Sequence, residues 1–101
     1  MDDKLKQAYQ DKAEADIREL QARIELLKAK AGTVQADVKV EFNERISELR
    51  EQQEELQSRL QSLREAGEGA WQELQSGVDK ALADLREAVE GAFSRFQLEP
   101  K

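Results

Sequence analysis

Side chains suited to acid–base or nucleophilic chemistry are scarce in this sequence and poorly grouped. The chain contains neither His nor Cys, so the commonest general base and metal ligand and the thiolate nucleophile are missing. The Ser, Thr and Tyr hydroxyls therefore have no imidazole to activate them. The adjacent carboxylates Glu54 and Glu55 could share acid–base work only in an apolar cleft, whereas this polar stretch reads as a solvated helix face. We predict a non-enzymatic protein without catalytic residues.

The short motifs that bind phosphate or metal ions are also missing. Gly67 and Gly69 form a Gly-Glu-Gly without a third Gly or a following Lys-Ser or Lys-Thr, so they do not resemble a phosphate-binding loop. The spacing of an EF-hand calcium loop does not occur. Ser76 and Asp79 have the spacing of a helix capping box, but they lie inside a repeating helical pattern. We expect no cofactor and no metal site.

Composition narrows the class of protein further. The chain has 101 residues, 38% of them charged and a net charge of −6, which suits one domain made of long, polar-faced helices. The excess of acidic residues falls in the second half, which disfavours nucleic acid and anionic membrane surfaces as partners. The sequence contains no apolar run of about 20 residues and does not begin like a signal peptide. We therefore expect a cytoplasmic protein.

An eleven-residue repeat runs from Leu60 to Phe96. Its units are LQSLREAGEGA, WQELQSGVDKA and LADLREAVEGA, followed by FSRF. Eleven residues make almost three helical turns, so columns at this period stay aligned along a helix. The aligned columns are Leu60, Trp71, Leu82 and Phe93; Leu63, Leu74, Leu85 and Phe96; Gly67, Val78 and Val89; and Ala70, Ala81 and Ala92. This pattern predicts an amphipathic helix over about 70–96.

The first half of the chain predicts a long helix over 2–65. From Ile17 to Val38, apolar residues alternate at intervals of three and four, the seam of a coiled coil. The steps to Phe42 and Ile46 are both four, a stutter that unwinds a coil locally without breaking it. Gly32 and Thr33 suggest a break at 32–33. However, the seam passes through this point in phase, and one internal Gly costs a helix only about 1 kcal/mol. We therefore favour a continuous helix and keep the break as the alternative.

A turn is predicted at 66–69, where Gly67 and Gly69 lie too close together for a stable helix interior. The expected fold is all-α, one domain over 1–101. Its amphipathic C-terminal helix folds back on the long helix as a helical hairpin, and 97–101 form a tail. A further turn at Gly32 would instead give a three-helix bundle.

Apolar stripes that one chain cannot cover by itself predict self-association. In the hairpin, the first half of the long helix has no partner within the chain, so we expect a coiled-coil homo-oligomer. The predicted interface residues are Ile17, Leu20, Ile24, Leu27, Val38, Phe42, Ile46, Leu49, Trp71, Leu74, Val78, Leu82, Leu85, Val89, Phe93 and Phe96. The hypothesised function is a scaffold or protein-interaction module. The alternative is a peripheral lipid-binding protein whose Trp71 and Phe93 enter a membrane surface, although the acidic charge disfavours it.

Two stretches carry a resemblance to a known group: KAKAGTVQADVKVEFNERISELREQQEELQSRLQSL and REAGEGAWQELQSGVDKALADLREAVEGAFSRF. Together they resemble a widespread group of small bacterial coiled-coil proteins of unknown function. Trp71 after a short Ala/Gly/acidic link, Leu74 and the closing Phe-Ser-Arg-Phe are similar to that group, whereas Gly32 departs from it. The resemblance implies a coiled coil and no activity. The eleven-residue period alone is similar to that of exchangeable apolipoproteins.

Overall fold

The computed structural model describes residues 3–96, which form three α-helices. Helix α1 spans Asp3–Ala31, α2 spans Ala36–Arg64 and α3 spans Glu68–Arg95. The all-α class predicted from the sequence is confirmed for this range. The predicted tail at 97–101 lies outside the described residues.

Each helix forms because its apolar side chains recur on one face. The buried positions of α1 and α2 alternate at intervals of four and three, which keeps them in a narrow stripe along each helix. In α1 they are Ala13, Ile17, Leu20, Ile24, Leu27 and Ala31. In α2 they are Phe42, Ile46, Leu49, Gln53, Leu56, Leu60 and Leu63. In α3 they are Trp71, Val78, Leu85, Val89, Ala92 and Phe93.

The three stripes meet in a single hydrophobic core, and every helix packs against the other two. Helix α2 runs antiparallel to its neighbours, since Glu25 of α1 pairs with Arg50 while Glu14 pairs with Arg64. The start of α1 meets the start of α3 through Lys6 and Glu68. The result is an elongated helical bundle with principal extents of 51 × 22 × 16 Å.

The structure interrupts the helix that we favoured as continuous over 2–65. Helix α1 ends at Ala31, and α2 begins at Ala36. The backbone N–H and the hydroxyl of Thr33 both donate to the carbonyl of Lys30, at 2.9 and 2.8 Å. The turn brings the stripe of α1 onto α2 and α3. Burying that stripe favours folding more than the few helical hydrogen bonds lost at the turn.

The second turn occupies residues 65–67, slightly before the predicted 66–69, so α3 begins at Glu68 rather than near residue 70. Gly67 has an extended backbone, with φ −78° and ψ 174°, and precedes the first residue of the helix. The Glu65 N–H donates to the carbonyl of Gln61 at 3.2 Å and closes α2. Gly69 lies within the first turn of α3, where the helix tolerates it.

The eleven-residue repeat does not describe one continuous element. Its first unit begins in α2, crosses the turn at 65–67 and ends in α3. Inside α3 the columns differ in depth: Val78 and Val89 are fully buried, whereas Leu82 is only half-buried. The repeat therefore marks a broad apolar face. Within α3, the column that contains Val78 and Val89 is the most deeply buried part of that face.

Candidate interaction surfaces

The residues predicted to join separate chains lie mostly inside this chain's own core. Those that are buried are Ile17, Leu20, Ile24, Leu27, Phe42, Ile46, Leu49, Trp71, Val78, Leu85, Val89 and Phe93. Those that are half-buried are Val38, Leu74, Leu82 and Phe96. The structure thus brings the predicted stripes together within one chain. Any association through them requires either the half-buried members or an exchange of helices between copies.

Several core positions were outside the predicted interface. Leu56, Leu60 and Leu63 extend the stripe of α2, and Gln53 lies in the same stripe with only 9% of its surface exposed. Counting four residues on from Leu49 finds Gln53, whereas its neighbour Gln52 is exposed. A polar side chain at such a position lowers stability and favours one register over others.

An aromatic and charged cluster ties α1 to α3 near the 65–67 turn. The Tyr9 hydroxyl donates to Oδ1 of Asp79 at 2.5 Å and lies 3.3 Å from the Gln75 carbonyl oxygen. The Tyr9 ring meets Trp71 edge-on, with centroids 5.5 Å apart. Burial, and then the hydrogen bond to Asp79 and its negative charge, raise the pKa of Tyr9. The phenol therefore stays protonated and keeps donating to Asp79.

Lys6 completes this cluster. Its Nζ lies 2.7 Å from Oε1 of Glu68 and 5.7 Å from the centre of the Trp71 ring. The hydrogen bond from Lys6, followed by its positive charge, lowers the pKa of the Glu68 carboxyl. One cation thus contacts both the carboxylate that opens α3 and the first large aromatic ring of that helix.

The opposite end of the bundle ties α2 to α3. The rings of Phe42 and Phe96 lie 4.2 Å apart between centroids. The Arg95 guanidinium lies 5.5 Å from the centre of the Phe96 ring, and its NH2 atom is 2.9 Å from Oε1 of Glu41. Helix α1 reaches this end chiefly through its apolar stripe and through Arg23, which lies over Phe93 at 5.2 Å.

The surface between α2 and α3 carries two shallow grooves that meet at Asp84. On the α3 side they are lined by the small residues Gly77, Ala81, Ala88 and Gly91 and by charged residues, which are Lys80, Asp84, Glu87 and Arg95. On the α2 side, Arg59 pairs with Glu55 at 3.0 Å, so charges of both signs border the groove. A site with mixed, solvated charges does not concentrate one type of ligand.

Residues 3–96 contain no group of three or more His, Cys, Asp or Glu side chains placed to hold a metal ion. None of the helices in this range combines the length and the hydrophobicity that a membrane span requires.

Comparison of the chain with protein families, with curated proteins and with solved structures finds no match. The resemblance to small bacterial coiled-coil proteins remains a prediction from the sequence.

Proposed function

We propose that this chain is a non-enzymatic helical interaction module that associates with further copies of itself through its apolar stripes. One observation carries this proposal: α1 and α2 contribute stripes of coiled-coil spacing, and α3 a broader apolar face, to one continuous core. Such a stripe can be buried equally well against a helix of the same chain or against the matching helix of another copy. The oligomer with an extended helical hairpin, expected from the sequence, is the associated form that we propose.

The half-buried residues of α3 support this proposal. Leu74, Leu82 and Phe96 pack against the core but keep part of their surface exposed. They lie on the edge of the α3 stripe, beside the buried Val78 and Leu85. Apolar surface left exposed in this way is removed from water when a second copy packs on it.

The first test is the molar mass of the full chain by sedimentation from micromolar to millimolar concentration. We expect a rising mass with unchanged helix content in the circular dichroism spectrum. The Leu82→Asp variant should dissociate the oligomer or unfold it, because it places a charge on the stripe; unchanged mass and helix content in this variant would contradict the proposal. Ala83→Asp is the matched control, since Ala83 is exposed on the same helix turn. A chain that stays monomeric at every concentration contradicts self-association.

Lipid binding is the weaker candidate function. Trp71 and Phe93, the side chains expected to enter a membrane surface, are 2% and 3% exposed and cannot reach lipid in the closed bundle. Flotation with neutral and with anionic vesicles should therefore leave the protein in the soluble fractions. Flotation with vesicles that Phe93→Ser abolishes would replace the interaction module with the lipid-binding function.

A further inference from the structure

The turn at 32–35 joins two apolar stripes that continue in phase through it. Ala31, Val34 and Val38 follow one another at intervals of three and four, as in the stripes on either side. Ala31 is buried, Val34 packs partly buried against the core, and Val38 is half-buried. If the helix ran straight through the turn, all three side chains would lie on the face that α1 and α2 already share.

Apart from the two hydrogen bonds from Thr33 to the Lys30 carbonyl, the turn lacks the usual features that stop a helix. Gly32 does not adopt the left-handed conformation of a typical glycine C-terminal cap. Gln35 precedes α2 without a capping hydrogen bond from its side chain, although Ser, Thr, Asp or Asn is preferred there. The stretch 32–35 contains no Pro. Tertiary packing, more than local sequence, therefore holds this turn in place.

The turn at 65–67 differs from the turn at 32–35 in how much apolar surface would be buried if the turn became helix. The seam position in that turn is Gly67, which has no side chain, and Ala70 in the next turn of helix is exposed. Straightening this link would bury no further apolar group, whereas straightening 32–35 would extend the seam with Val34 and Val38. Of the two turns, 32–35 is therefore the one suited to opening.

We propose that two copies of this chain exchange α1 by converting residues 32–35 into helix. Each copy then holds one continuous helix from residue 3 to residue 64, and its α1 segment packs on α2 and α3 of the other copy. This inference rests on the proposed self-association; it names the exchanged segment and the hinge. The partner is a second copy of the chain, joined by the core contacts that the closed bundle already uses.

The exchange conserves almost every interaction of α1. The pairs Glu25–Arg50, Glu14–Arg64 and Tyr9–Asp79 re-form between copies with the same partners. What changes is the hinge, where the N–H groups of the first turn of α2 gain carbonyl partners. Association costs translational and rotational freedom, so the equilibrium depends on protein concentration.

The ion pairs also set the register of the two extended helices. Glu25 lies opposite Arg50 and Glu14 opposite Arg64 in the antiparallel pairing of α1 with α2. With the same register between copies, the two-fold axis passes near Val38, and Val34 faces Phe42 of the second copy. The centre of the dimer is therefore an apolar contact made of hinge-region side chains.

The decisive variant is Ala36→Pro. Ala36 is the first residue of α2, where Pro is well tolerated, and Gln35 before it already has the extended backbone that Pro requires, with φ −66° and ψ 153°. In a continuous helix the same Pro removes a hydrogen bond and clashes with the preceding turn, weakening the dimer on the order of a hundredfold per chain. Ala36→Ser is the matched control without the ring.

A cross-link identifies the exchange directly. Because the chain has no native Cys, only the introduced thiols can react. Glu14→Cys and Arg64→Cys are made in separate chains, mixed, refolded together and treated with a short bis-maleimide, whose length replaces that of the two long side chains. Glu14 and Arg64 form an ion pair between α1 and α2, so a cross-link between the two different chains requires exchange. The control mixes Glu14→Cys with Glu48→Cys, whose position on α2 is about 24 Å from that of Arg64 at 1.5 Å per residue.

We expect a concentration-dependent dimer, the 14–64 interchain cross-link, and a folded monomer for Ala36→Pro with undiminished helix content. If the protein dimerises equally well with Ala36→Pro and the interchain cross-link does not form, self-association stands but the exchange of α1 is wrong. If no dimer forms at any concentration, both proposals are wrong. Should Ala36→Pro fail to fold, the cross-link in the otherwise native chain decides alone.

Discussion

The two ends of the bundle are held together in different ways. We call the end with the 32–35 turn the hinge end and the end with the 65–67 turn the far end. At the far end, Tyr9 and Lys6 join α1 to Asp79, Trp71 and Glu68 of α3. At the hinge end, aromatic and charged contacts join α2 to α3 instead, through Phe42 with Phe96 and Glu41 with Arg95.

This difference separates two kinds of stability. Contacts at the hinge end hold the α2–α3 hairpin together and stay within one chain whether or not α1 is exchanged. Contacts at the far end attach α1, and in the exchanged dimer they re-form between copies. Substitutions at either end should therefore change the free energy of unfolding, whereas substitutions in the turn at 32–35 should change the dimer dissociation constant.

The largest effect is expected at the hinge end. Phe42→Ala removes a fully buried ring that packs on Phe96 and should lower the free energy of unfolding by about 3–5 kcal/mol. Urea denaturation measures the change. Val40→Ala, at a position 66% exposed on the same helix, should change it by less than about 0.5 kcal/mol. Equal effects of the two substitutions would mean that the hinge end is not a packed core.

The far end should show a smaller, pH-dependent effect. Tyr9→Phe removes the hydroxyl that donates to Asp79 and should lower the free energy of unfolding by about 1–3 kcal/mol at neutral pH. Trp71 keeps its edge-on ring partner in this variant. Thermal and urea denaturation of the two proteins give the difference.

The pH dependence follows from the raised pKa of Tyr9. The folded protein holds the phenolic proton more tightly than the unfolded chain, so this contribution is complete below about pH 10, the ordinary pKa of Tyr. It decreases as the pH rises above that value. The native protein should therefore lose stability faster than Tyr9→Phe in alkaline solution. Parallel stability curves above pH 10 would contradict the role assigned to the hydroxyl.

Between the two ends, Gln53 is expected to lower stability. It is the one polar residue among the buried side chains of residues 3–96, and an amide costs free energy when it replaces an apolar group in a core. Gln53→Leu should raise the free energy of unfolding by about 1 kcal/mol in urea denaturation. The control is Gln52→Leu, at the exposed neighbouring position, for which we expect no increase in the free energy of unfolding. A destabilised Gln53→Leu would show that the amide has a partner worth more than its burial costs.

The smallest effect is expected for the ion pair at the far end. Lys6 lowers the pKa of Glu68, so its stabilisation is present above the ordinary Glu pKa and is lost as the pH falls through the lowered value. Carboxyl chemical shifts should show Glu68 titrating at higher pH in Lys6→Met than in the native protein. Salt should weaken the pair, because Glu68 is exposed. If Glu68 titrates in Lys6→Met as it does in the native protein, the ion pair does not contribute to the far end.

Much of the core could be predicted from the sequence, because helical periodicity is a local property. Ile17, Leu20, Ile24 and Leu27 follow the interval of three and four and are buried in that order. The stripe of α2 was less clear, since Gln53 interrupts its apolar pattern although it occupies the same face. The Tyr9–Asp79 contact could not be predicted, since it joins residues 70 positions apart and depends on how α1 is placed against α3.

Local sequence is enough to predict that the chain is mostly helical and which face of each helix is apolar, because both depend on residues three and four positions apart. The turn at 32–35 follows instead from the packing of the whole chain. A continuous helix and a turn there differ locally by one Gly and a few hydrogen bonds, whereas the turn allows the stripe of α1 to be buried within the same chain. That choice depends on long-range packing, and a second copy can offer the same packing without the turn.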